Sequence, residues 1–190
     1  MRQKRPAFTL MEMLVSITIF TLFIGFAMGS MNFFYRVQRE AAQERFLLME
    51  MQGVLDHTTK LLHDHYIDYE AYAQNTSQGI FVLDAQGNKW SILVEDEKLF
   101  ERGTDRTGQP LPGYTEPRLL HDPAVRIDEF QLSLFPEKDP YAPENRGQDD
   151  LQYQPIIGID LVGSLPGRVR DVLSVDLHTS VTSRFYSPAP

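Results

Sequence analysis

A chain of 190 residues with a net charge of −8 and no cysteine is long enough for one domain of ordinary size plus an appendage. The missing cysteines exclude disulfides, thiolate metal sites and a cysteine nucleophile. The acidic balance opposes non-specific nucleic-acid binding, which needs cationic surface to displace counterions from phosphates. Arg2, Lys4 and Arg5 sit at the extreme N-terminus, so the remainder is more acidic than the whole.

The first element is apolar. From Phe8 to Tyr35 the only charge is Glu12. A helix over this stretch would run roughly 42 Å at ~1.5 Å per residue, more than the ~30 Å hydrocarbon thickness of a bilayer. A membrane-inserted helix follows. The three basic residues before it outnumber Arg36 and Arg39 behind it, which Glu40 and Glu44 closely follow, so the N-terminus is expected in the cytoplasm and the bulk of the chain outside. The run exceeds the apolar core of an ordinary secretory signal, and no A-x-A cleavage site follows it. A plain signal anchor fits the length but gives Glu12 no task.

The segment PAFTLMEMLVSITIF, Pro6 to Phe20, resembles the N-terminus of type IV pilin-like proteins. The resemblance implies that prepilin peptidase removes the leader, residues 1–7, by cutting between Ala7 and Phe8. Phe8 then becomes an N-methylated N-terminus and Glu12 the fifth mature residue. The family usually carries Gly where this chain has Ala7, so slower cleavage is expected. The resemblance also suggests why Glu12 is kept. A carboxylate in lipid costs roughly 2.5–3.5 kcal/mol and seeks a partner. The Phe8 ammonium of a neighbouring subunit would supply one and set the axial register. The alternative is that Glu12 only snorkels to the cytoplasmic interface. Gly25 and Gly29 form a G-x-x-x-G pair that permits close helix packing, or else a chance pair in a Gly-tolerant segment. No Pro interrupts the run, which favours a minor over a main pilin subunit.

The helix is expected to continue in water over residues 36–66. Val37, Ala41, Leu48, Met51, Leu55 and Leu62 mark one helical face, widened by Leu47, Val54 and Leu61. His57, His63 and His65 lack the i, i+3 or i, i+4 spacing of helical metal ligands and read as solvent-facing or capping residues.

Residues 67–190 read as β-rich. Strands are expected at 79–83, 90–94 and 99–100, as a meander with turns at Gln86-Gly87-Asn88 and at Glu95 to Lys98. Residues 103–124, rich in Pro and Gly, read as a long connection. Val125 to Phe135 alternates from Phe130 onward. After an acidic loop at 136–150 come strands at 153–162 and 172–185, joined through Gly163 to Gly167. In the last strand Leu173, Val175, Leu177 and Thr179 share one face, with Asp176 and His178 on the other. The terminus from Ser187 should fray. No internal repeat is visible. The order, one long helix followed by an antiparallel sheet region that must cover its apolar stripe, is α+β.

Little else suggests chemistry. Asp139, Glu144, Asp149 and Asp150 crowd one loop but lack EF-hand spacing for Ca²⁺. No phosphate loop and no nucleophile context is present, so no enzyme site and no cofactor is expected. The chain is most similar to a minor pseudopilin of type II secretion, J type, on V-x-I-x-x-F-x-L-x-L at Val125 to Leu134 and L-P-G-R-V-R at Leu165 to Arg170. That resemblance implies assembly with other minor and major pseudopilins at a pseudopilus tip, an inner-membrane anchor, lipid contact and a periplasmic domain. A minor pilin, a DNA-uptake pseudopilin and a membrane-anchored periplasmic binding module are the alternatives.

Overall fold

The computed structural model describes residues 9–74, 79–140, 142, 145, 154–166 and 172–183. The chain divides into two compact units, Met1–Gln43 and Glu44–Pro190. Helix α1, Leu10–Asp64, begins in the first and ends in the second.

In the first unit every large apolar side chain from Leu10 to Val37 is exposed. The helix is long and apolar enough to cross a membrane. Residues with no side-chain core to face need such a surrounding, because no helix hydrophobic all round is stable in water.

The second unit holds the packed core. After α1 come β1 (Tyr66–Ile67), α2 (Tyr69–Gln74), β2 (Gly79–Leu83), β3 (Lys89–Glu95), β4 (Lys98–Thr104) and β5 (Arg118–Leu119). These strands form an antiparallel sheet A in chain order, β1-β2-β3-β4-β5. A second antiparallel sheet, B, is a meander of β6 (Arg126–Phe135), β7 (Ile156–Leu165) and β8 (Leu173–Thr182). One apolar cluster joins Leu47, Met51, Val54, Leu61 and Leu62 of α1 to Ile80, Val82, Ile92 and Leu99 of sheet A and to Ile127, Phe130, Ile157, Ile159 and Leu161 of sheet B. The α+β expectation holds.

Four expectations are refined. The buried stripe of α1 is Leu47, Met51, Val54, Thr58, Leu61 and Leu62; Leu48 and Leu55 are its half-buried flanks and Val37 is exposed. The polar Thr58 hides the 4-3-4-3 spacing of the true centre. The expected strand 99–100 is longer, and the expected connection 103–124 contributes β5. β1 and α2, short and without periodicity, escape the sequence reading. In β6 the pairing shifts between Ile127 and Glu129. That bulge inserts one residue, so Ile127 and Phe130 are both buried although three positions apart. Alternation is therefore clean only from Phe130.

Gly163, expected in a turn, lies inside β7 opposite Ile127 and Val175. A Cβ there would collide with the Sδ and Cε atoms of Met51. The glycine is what lets α1 close onto sheet B, a close-approach role that sequence punctuation mimics.

The turns have identifiable chemistry. Asp96 and Glu97 both have positive φ, 49° and 60°, between the paired Glu95 and Lys98. This is the two-residue hairpin geometry that normally selects Asn-Gly. The Ile127 N–H donates to the Glu97 carbonyl at 2.8 Å, and Arg126 pairs with the Glu97 carboxylate, so the start of β6 holds the turn. Two further loops share one design. Asp84 Oδ1 accepts the Gln86 and Asn88 N–H groups at 2.9 and 2.8 Å, and Asp105 Oδ1 accepts those of Thr107 and Gln109 at 2.8 and 2.9 Å. In each, a glycine with φ near 80–85° follows three residues after the Asp, Gly87 and Gly108. The sequences DAQGN and DRTGQ are thus a small repeat that the residue identities alone conceal.

Candidate functional site

At the head of α1, Thr9 and Glu12 bond reciprocally. The Thr9 N–H donates to Glu12 Oε2 at 3.0 Å, the Thr9 hydroxyl to the same oxygen at 3.1 Å, and the Glu12 N–H to Thr9 Oγ1 at 3.3 Å. This is a capping box, T-x-x-E. It satisfies backbone donors that the first helical turn leaves open, and it sets the carboxylate at the positive end of the helix dipole. Both bonds to the carboxylate use Oε2, and Glu12 is exposed.

Two threonines of the segment are also satisfied locally. Thr18 and Thr21 donate to the carbonyls of Leu14 and Ile17, each at 2.8 Å. An added Cβ at Gly25 or at Gly29 would meet nothing within 4 Å, so their shared face is an open shallow strip. The expected cleavage position, between Ala7 and Phe8, lies outside the described residues.

Residues 2–28 match the prokaryotic N-terminal methylation motif. The chain carries the type IV pilin signature. No curated protein and no solved structure matches it. The pilin-like signature ends within the apolar half of α1, and its fold context, a long N-terminal helix followed by antiparallel sheets, agrees with a pilin-like chain.

The second unit carries a polar cluster that the sequence reading missed. Glu101 of β4 is 1 % exposed. Its Oε1 lies 2.9 Å from His57 Nε2 of α1 and its Oε2 accepts the Tyr114 hydroxyl at 3.2 Å. Arg118 of β5 stands 3.9 Å away. Burial and then the Glu101 charge push the Tyr114 phenol above its ordinary range, so Tyr114 stays a donor. The Tyr114 ring meets Trp90 edge-on at 4.8 Å. Leu99, Glu101 and Gly103 are the buried positions of β4. That alternation was the available signal: an acid in phase with Leu99.

Three of the other histidines make contacts within the fold. His65 Nδ1 bonds the Leu61 carbonyl at 2.9 Å, a C-terminal cap, and His63 pairs with Asp64 at the surface. His121, also buried, accepts the Leu99 N–H at Nε2 and donates from Nδ1 to the Asp122 carbonyl. A cleft of about 450 Å³ opens between Tyr66, Asp68, Leu83, Lys89, Arg106 and Ser183. Among the described residues no three His, Asp or Glu side chains are grouped to hold a metal. Of the acidic loop, Glu144, Asp149 and Asp150 lie outside the described residues.

Proposed function

We propose that the chain is a structural, non-enzymatic subunit of a pilin-like filament. It would be cut between Ala7 and Phe8, N-methylated at Phe8 and assembled through α1. The observation that carries this is the Thr9–Glu12 capping box at the head of an exposed apolar helix, inside the matched methylation motif. Before assembly the box keeps the carboxylate hydrogen-bonded within its own chain. In a filament, the Oε1 edge would take the Phe8 ammonium of a neighbour, while Gly25 and Gly29 let adjacent helices approach.

The finer reading is a minor pseudopilin of type II secretion, anchored in the inner membrane with its N-terminus cytoplasmic and its second unit periplasmic. The unbroken helix and the Val125–Leu134 pattern support it. Its partners would be other minor and major pseudopilins, prepilin peptidase and lipid, with no nucleic acid. A second reading, an uncut membrane-anchored binding module, is favoured by Ala7 at the cut position and by the 450 Å³ cleft.

Intact mass and N-terminal sequencing of the protein from its native membrane separate the two. A chain beginning at N-methyl-Phe8 supports the subunit; a chain beginning at Met1 supports the module. Glu12→Ala is expected to leave cleavage intact and to abolish incorporation into filaments. Normal incorporation of that variant would overturn the assigned role of Glu12. Co-purification with pseudopilins, against type IV pilus or DNA-uptake components, decides the system.

A further inference from the structure

The strand edges of the second unit are not protected alike. Sheet A ends on β1 and β5, of two residues each. The β6 edge of sheet B is broken by the bulge between Ile127 and Glu129. Its Ile127 N–H is taken by the Glu97 carbonyl, and Arg126, Asp128 and Glu129 stand exposed on it. Short strands, bulges and charges are devices that keep an edge from pairing with another chain. The β8 edge is nearly bare of them. It pairs with β7 along its whole length, Leu173–Thr182, without a register shift. Its sequence, LSVDLHTSVT, holds no Pro and no Lys. No other described strand pairs with it. An antiparallel strand with one neighbour leaves about half of its backbone N–H and C=O groups pointing away from the sheet.

The side chains add a second observation. Ile157, Ile159 and Leu161 of β7 are buried, but Leu173, Val175 and Leu177, on the same face of β8, are only half-buried. The cover of the core runs out at this strand. On the opposite face Asp160 pairs with His178. Asp176, across from Val162, has no ion-pair partner among the described residues. We propose that the β8 edge receives an extended segment of a partner polypeptide as a fourth strand of sheet B, with alternate apolar residues over Leu173, Val175 and Leu177 and a basic residue opposite Asp176. Such a strand would use the outward backbone groups, and its apolar side chains would close over the half-buried row. Opposite charges facing each other across the pair add to the fit. A second copy of β8 brings another Asp176 and a His178 that Asp160 already holds, so it supplies no free cation; a basic partner does. This surface is independent of whether the chain is cut after Ala7.

The test is fluorescence anisotropy of a labelled peptide of about ten residues, titrated with the full chain in detergent micelles, with empty micelles as background. The peptide alternates valine and threonine and carries one central lysine in a threonine position. Saturable binding is expected, and none by the fully N-methylated peptide, which has no backbone N–H to donate. Glutamate in place of the lysine should weaken binding about threefold or more. Asp176 is exposed, and Asp176→Arg should reverse that order, so that the glutamate peptide binds more tightly. Absence of saturable binding by the lysine peptide, or equal binding by its N-methylated form, would overturn the edge as a docking site. An unchanged lysine preference in Asp176→Arg would overturn the placement of the basic residue. A concentration-dependent dimer that excludes the peptide would overturn the partner polypeptide in favour of a second copy.

Discussion

Gly163 offers the sharpest check on how the second unit packs. Its missing side chain leaves the space that the terminal atoms of Met51 occupy, and Met51 is fully buried. Two effects compete in Gly163→Ala. Loss of backbone freedom in the unfolded chain favours alanine by ~0.4–1 kcal/mol. The collision forces Met51 to a new rotamer in a close-packed core, and such overpacking costs ~1–3 kcal/mol. The colliding atoms are the flexible end of Met51, but Leu47 and Val54 on the same face of α1 are also fully buried, so the end must repack inside a dense core and the collision is expected to win. A net loss near ~1–2 kcal/mol corresponds to a Tm drop of roughly 2–8 °C. Met51→Ala alone should cost ~2–5 kcal/mol through its cavity. The double variant should lose less than the sum by ~1 kcal/mol or more, since the new methyl enters the vacated space. The assay is denaturant unfolding of all four proteins in one detergent. A wild-type midpoint for Gly163→Ala, or additivity within ~0.5 kcal/mol, would refute the argument that glycine admits α1 to sheet B.

Three further outcomes are expected. Thr58 is fully buried and its hydroxyl finds no partner among the described residues, so Thr58→Val should stabilise by ~1 kcal/mol, read as a raised unfolding midpoint. Burial of Asp84 disfavours its charge, but the hydrogen bonds from Asn88 and Gln86 outweigh this and hold its carboxyl below the usual range. That contribution is present above about pH 4 and is lost as pH falls through the lowered value. Asp84→Asn should therefore destabilise at neutral pH, with the gap to wild type closing in an acid titration. Replacing Asp96-Glu97 by Asn-Gly should stabilise by ~0.5–1 kcal/mol. It relieves left-handed strain of ~1–2 kcal/mol at Glu97, whereas the exposed pair with Arg126 that it removes is worth only ~0–1 kcal/mol; thermal melts decide the sign.

The long helix, its apolar half and the methylation motif were legible because each depends on local information. Twenty-odd apolar residues without proline specify a helix in lipid whatever follows; the T-x-x-E box at Thr9 and Glu12 is just as local, yet it came into view only with the structure. The meander was legible too, since alternation and turn residues are short-range. Legibility failed where a distant partner sets the outcome. Gly163 reads as a turn until Met51 is placed over it. Thr58 interrupts a stripe that only packing reveals. Ile127 and Phe130 fall out of phase until a bulge realigns them.

The sequence by itself therefore determined the long apolar helix and the α+β order, because chain chemistry and periodicity suffice for those; the expected processing site rests on the resemblance of residues 6–20. The tertiary structure alone decided that α1 presents Leu47, Met51, Val54 and Leu61 to both sheets, and that His57 meets Glu101. Burying a carboxylate is costly unless it is paired and hydrogen-bonded. Its partners come from two separate segments, α1 and the loop before β5, and only the folded chain brings them to it.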